Sequence, residues 1–116
     1  MKARHHRRGH RAETSAAIWL RLKGYRILAT RYKTPLGEID LIARRGRTLV
    51  FAEVKGRATK TAAAVAIHTR NQSRVVRAAQ WWLAAHPAHA ECTIRFDALL
   101  VAWYRWPHHL PAAFAA

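Results

Sequence analysis

The stretch that decides the fold is GEIDLIARRGRTLVFAEVKGR, residues 37–57. Two runs rich in aliphatic and β-branched residues, 38–43 and 48–55, flank Arg44-Arg45-Gly46-Arg47. That is the pattern of two antiparallel strands joined by a short turn containing glycine. Three of the chain's six carboxylates, Glu38, Asp40 and Glu53, lie inside the two runs. Acids are disfavoured in strands and are seldom buried without a partner. A plain surface reading does not explain why so basic a chain puts half its acids there.

Hairpin geometry sharpens the question. Side chains alternate faces along a strand, so Glu38 and Asp40 share one face, and so do Glu53 and Lys55. Residues opposed in an antiparallel pair have a constant index sum. With Gly46-Arg47 as the loop, the sum is 93 and Asp40 faces Glu53, with Cβ atoms about 4.5–5.5 Å apart. With Arg45-Gly46 as the loop, the sum is 91 and Glu38 faces Glu53. Either odd sum gathers Glu38, Asp40, Glu53 and Lys55 on one face, whereas an even sum splits them.

Carboxylates this close repel unless a proton or a cation stands between them. Hard oxygen donors without Cys or His suit Mg²⁺ or Mn²⁺ rather than Zn²⁺. Such an ion polarises a phosphate and acidifies a bound water. Lys55 on the same face is placed to stabilise developing negative charge. The competing reading is a plain Glu53–Lys55 ion pair with Asp40 beside an arginine. Composition and periodicity alone leave the two readings level.

Working outward, residues 1–11 read as a basic, His-rich, mobile arm, and 12–116 as a single domain. A helix is predicted over 13–23. Ala16, Ala17 and Leu20 form its apolar face, Glu13 points the same way, and Gly24 is the stop. Residues 25–32 read as a strand and Thr34-Pro35-Leu36-Gly37 as a turn. Residues 56–69 suit a loop and a short helix. A longer helix follows over 70–85, with Val75, Ala79, Trp82 and Leu83 as its core stripe. Residues 93–103 alternate as a fourth strand, and the tail RWPHHLPAAFAA caps the sheet.

The arithmetic excludes several classes. Among 116 residues, 21 are Lys or Arg and six are Asp or Glu, for a formal charge of +15. Such a charge implies a polyanionic partner, nucleic acid before an anionic membrane surface. A single cysteine, Cys92, rules out an internal disulfide framework and reads as a core residue. No apolar run reaches the roughly 18–20 residues of a spanning helix. No h-region follows the basic start, and a transit peptide is a weak alternative. The expected location is the cytoplasm. The eight histidines have no Cys partners at zinc spacing.

The 37–57 string resembles the GEIDLI…VFVEVK core of the YraN-type family of small bacterial proteins. That family is assigned to the restriction-endonuclease-like PD-(D/E)XK superfamily, which includes Holliday-junction resolvases. The match spans about residues 12–103, including 24–28 and Arg95-Phe96-Asp97. It implies an α/β fold with an αβββαβ core, a central mixed four-stranded sheet flanked by helices. It also implies a helix acid, matched by Glu13, a strand acid, matched by Asp40, and an E-x-K, matched by Glu53-Val54-Lys55. Glu38 matches the GE of the string without an assigned role. The segment after Lys55 departs from the family pattern, and Asn71-Gln72 stand where a lysine is usual.

The combined expectation is an Mg²⁺- or Mn²⁺-dependent DNA endonuclease, with branched DNA as a candidate substrate. Asp40 and Glu53 are the metal ligands, Glu13 a supporting ligand and Lys55 the electrostatic catalyst. Arg70, Arg74 and Arg77, at helical spacing, together with Arg57, are candidate phosphate contacts. So are Arg44, Arg45 and Arg47, placed by this reading next to the metal. Trp103, Tyr104 and Trp106 suit core packing better than base stacking. Related resolvases are dimers, which makes a homodimer the implied assembly, although no interface stripe marks it. The alternative is a non-catalytic DNA- or RNA-binding module of the same fold.

Overall fold

Two helices pack on opposite faces of one mixed sheet. The computed structural model describes the backbone of residues 2–56, 69–102 and 106–115, and the side chains of 12–56, 72–102 and 106–115. Helix α1 (Lys2–Leu22) leads into strands β1 (Arg26–Thr34), β2 (Gly37–Arg45) and β3 (Thr48–Gly56). Helix α2 (Thr69–Ala85) and a 3₁₀ turn (Pro87–His89) then carry the chain to β4 (Thr93–Val101) and β5 (His108–Phe114). The strands lie in sequence order. Only β3 and β4 are parallel; the other neighbours are antiparallel.

The αβββαβ core is the one implied by the resemblance, with β5 added at the edge as a fifth strand. The α1 helix runs back to Lys2, through the residues read from the sequence as an arm. Its other end is where the sequence puts it. Gly24 takes φ +92°, and the Gly24 and Tyr25 amides donate to the carbonyls of Arg21 and Leu20. This double closure caps a helix when the residue after it can turn left-handed.

Burial follows the strand alternation. Val50, Ala52 and Val54 of β3 join Ala16, Ala17 and Leu20 under α1. Leu49 and Phe51 join Val75, Ala79 and Trp82 under α2. Phe51 sits edge-on to Trp82, with ring centroids 5.8 Å apart.

The β2–β3 register is the one with Gly46-Arg47 as the loop. Arg45 pairs with Thr48 and Leu41 with Ala52. Gly46 has φ +60°, which suits the first central position of a II′ hairpin turn. At the opposite end of β2, the Thr34 hydroxyl closes the β1–β2 turn by accepting from the Leu36 and Gly37 amides.

Candidate metal and phosphate site

The acids gather at the end of the sheet away from the hairpin tip. The paired register of β2 and β3 stops at Leu41 and Ala52, one step before Asp40 and Glu53. Asp40 Oδ2 instead accepts the Val54 amide at 2.7 Å. The strands therefore part at Asp40, and its carboxylate takes up a β3 amide. Helix α1 brings Glu13 in from the side, one residue after Ala12, which lies against Gly56 at the end of β3.

The convergence differs in detail from a clean one-face hairpin. Ile39 and Ile42 both pack under α2, whereas Leu41 and Ala43 pack under α1. The alternation of β2 thus slips by one around Asp40. On β1, Arg31 falls between the paired positions Thr30↔Leu41 and Tyr32↔Ile39, and it has φ +50°. The left-handed Arg31 thus lies across from Asp40, while the register shift of the β1–β2 ladder falls further along, between Ile27 and Ala29.

Electrostatics report the proximity. Burial pushes the Glu13 carboxyl up to about 7, and the nearby charges of Asp40 and Glu38 add to the rise. Burial likewise raises Asp40 to about 6; repulsion from Glu53 and Glu38 adds, while the Val54 amide and Lys55 oppose. Lys55 Nζ stands 3.3 Å from Glu53 Oε1. Glu53 is buried, Lys55 half-buried and Glu38 exposed. Glu13 lies 3.6 Å from Arg31, and its Oε2 is buried without a hydrogen bond among the described residues.

These residues fit a hard divalent cation. The donors are all carboxylate oxygens, one Glu13 oxygen has no hydrogen bond among the described residues, and two carboxyls are held at a raised pKa by burial and by neighbouring carboxylates. Among the described residues no group of three or more His, Cys, Asp or Glu side chains is placed to hold a metal ion as a closed cage would. Mg²⁺ needs no such cage, since it takes one or two carboxylates and keeps several waters.

The raised carboxyls give a stability prediction. A group whose folded pKa lies above its unfolded value favours folding while protonated, and that contribution is lost as the pH rises through the folded value. Glu13→Gln should match wild type in melting temperature near pH 4.5. It should then become progressively the more stable protein up to about pH 7, in EDTA, by thermal denaturation. Mg²⁺ at pH 8 should narrow the gap. A gap that is flat with pH would contradict the burial of Glu13.

The proposed phosphate contacts divide. Arg74 and Arg77 are exposed on α2, and Trp81 with them. The Arg74 backbone packs against Gly37, at the acid end of β2. Arg57 and the Arg70 side chain, like Trp103 and Tyr104, lie outside the described residues. The hairpin-tip arginines are not beside the acids. Six residue-to-residue steps separate Arg47 from Glu53, about 20 Å of extended chain. Arg44 donates to the Gly46 carbonyl and contacts His89, and Arg45 donates to the Lys23 carbonyl and covers the Tyr25 ring at 4.4 Å. Trp106 packs on Trp19 at 5.3 Å yet remains 72% exposed.

Two features had no clear sequence signal. One is Arg31, whose left-handed backbone carries neither Gly nor Asn. The other is a polar network around the fully buried Asp97. Its carboxylate accepts two hydrogen bonds from Arg95 at 2.8 Å, one from His109 at 2.6 Å and one from the Ala112 amide at 3.0 Å. Arg95 reaches on to the Tyr25 hydroxyl at 2.6 Å, and Lys23 donates to the other nitrogen of His109. Burial alone would raise Asp97, but these partners outweigh it and hold the carboxyl down at about 2.

Residues 12–101 match the model of uncharacterised protein family UPF0102. The chain is similar to a UPF0102 protein of Bradyrhizobium diazoefficiens, 56% identical over 110 residues that cover 95% of this chain and 83% of the relative. It is similar to another from Methylorubrum extorquens, 59% identical over 109 residues, 94% of this chain and 85% of that one. A third, from Rhodopseudomonas palustris, is 56% identical over 110 residues, 95% and 82% of the two chains. The chain belongs to the UPF0102 family, the YraN-type group that its residues 37–57 resemble.

Proposed function

We propose that this protein is an Mg²⁺- or Mn²⁺-dependent endonuclease that hydrolyses phosphodiester bonds in DNA, with branched DNA as the first substrate to try. The observation that carries the reading is the proximity of Asp40 to Glu53, Glu38 and Lys55, with Glu13 beside Asp40 and Glu38, in a chain of net charge +15. Carboxylates are held close together, two of them at a cost in ionisation, in a protein with few acids to spare. Such an arrangement is costly as architecture and useful as a cation site.

Asp40 and Glu53 would hold the ion, with Glu13 in support. A bound Mg²⁺ supplies Lewis acidity toward a phosphoryl oxygen and lowers the pKa of water. The Val54 amide fixes the Asp40 carboxylate through Oδ2. Glu53 holds the Lys55 ammonium close to the cluster, where it offsets negative charge as a water oxygen joins phosphorus and the ester oxygen departs with a proton. Exposed Arg74 and Arg77 supply phosphate contacts on the α2 side.

Cleavage of four-way-junction, single-stranded and duplex DNA, and of RNA, should be measured with Mg²⁺, Mn²⁺ or EDTA. Wild type should cut at least one DNA only with the divalent ion, and Lys55→Met should lose about 10²-fold or more. A second reading, a non-catalytic DNA- or RNA-binding module, is favoured by the lack of a closed cage among the described residues. Tight DNA binding without cutting under any divalent condition, undisturbed by Glu53→Gln, would establish it.

A further inference from the structure

We infer that Arg31 is a phosphate-binding residue of this site, presenting its guanidinium to a phosphodiester of the nucleic-acid substrate. The substrate class rests on the nuclease reading; the contact itself rests on the geometry of Arg31.

Arg31 sits on β1 beside the position where β2 and β3 part, between two paired steps of the β1–β2 ladder. Its φ of +50° is left-handed. Residues other than Gly, Asn and Asp rarely adopt that conformation, and such strained positions cluster at functional sites. A sequence optimised only for stability would place Asn or Gly here. The turned backbone sends the side chain toward α1, where Nη1 comes 3.6 Å from Glu13 Oε1.

That contact is an ion pair without a hydrogen bond. Arg31 Nη1 is buried and makes no hydrogen bond among the described residues, and the same holds for Glu13 Oε2. A part-exposed arginine with one buried, unused donor, beside an acid with an unused acceptor, is a poor structural pair. Arg95 shows how this chain makes a structural one, with two 2.8 Å bonds to Asp97. Arg31 instead keeps planar donors in reserve next to the acid cluster. A guanidinium presents paired donors that match phosphate oxygens, which ammonium cannot do. Cation and phosphate can then share the site, with Glu13 turned to the ion and Arg31 to the phosphate.

The test is equilibrium binding of a fluorescent four-way junction and a fluorescent duplex, with Ca²⁺ and across a salt series. The proteins are wild type, Arg31→Gln, Arg31→Asn and Arg31→Lys, with thermal denaturation alongside. Both Gln and Asn should weaken binding about tenfold and reduce the slope of log K against log salt by about one. Lys should restore the slope but only part of the affinity. Melting temperatures should stay near wild type, with Asn at or above it because it suits the backbone. Unchanged affinity and slope in the Gln and Asn proteins would overturn the assignment, as would a wild type that binds neither DNA. Cleavage by wild type is scored separately. A protein that binds but never cuts removes the nuclease reading, while the salt slope still decides for or against Arg31.

Discussion

Asp40→Asn should lower divalent-dependent cleavage by about 10³-fold while making the metal-free protein more stable at pH 8. The two effects have one cause. The Asp40 carboxyl rises from its ordinary 3.8 to about 6, chiefly through burial, with Glu53 and Glu38 adding. At about 1.4 kcal/mol per pH unit, ionising it in the folded protein costs up to about 3 kcal/mol. Asp40 keeps some solvent contact, which reduces the net figure to about 1–2 kcal/mol. Asparagine is nearly isosteric and still accepts the Val54 amide, so little is lost in return. A melting temperature higher by about 5 °C in EDTA is expected. Mg²⁺ should stabilise wild type and leave the variant unmoved. A variant less stable than wild type, or one that still cuts, would mean that Asp40 serves the fold rather than a cation.

Asp97→Ala should have the opposite signature, a large loss of stability. Asp97 is fully buried and receives Arg95, His109 and the Ala112 amide together. Removing it strands a guanidinium, an imidazole N–H and a backbone N–H, and breaking such a buried pair costs about 3–5 kcal/mol. That is at least about a fifth of the stability of an ordinary domain, about 5–15 kcal/mol. Urea denaturation measures it. Asp97→Asn, which keeps the shape and loses the charge, should cost about half as much. Because the folded carboxyl is held down at about 2, its contribution is complete above pH 4 and is lost as the pH falls toward 2. An Asn variant within 0.5 kcal/mol of wild type, the usual range for surface changes, would show that the network adds little.

The hairpin was legible because its signals are local. Gly46 points to a two-residue loop, either such loop gives an odd register, and the one formed brings Asp40 and Glu53 to the same end of the sheet. Gly24 and the Thr34–Gly37 turn were legible for the same reason. The slip at Asp40 was not, since nothing local marks it, and the left-handed Arg31 beside it lies one strand away. The Asp97 network was hidden by distance along the chain: Tyr25 and Arg95 are 70 residues apart, Lys23 and His109 86 apart. Strand β5 lacked a pattern, because HHLPAAF has no alternation and a proline, which only an edge strand tolerates. It is held by Asp97, where the β4–β5 register slips and Ala112 turns left-handed to offer its amide. The hairpin arginines misled in another way. A run of like charge says nothing about which end of a strand it occupies.

The central claim is that the few acids of a very basic chain converge to hold a divalent ion. Anomalous diffraction from an Mn²⁺-soaked crystal tests it most directly. The acid cluster predicts a peak within about 2.0–2.2 Å of Asp40 and Glu53 oxygens, with Glu13 adjacent. No peak there, with Asp40 and Glu53 each neutralised by its own arginine or lysine, would contradict it.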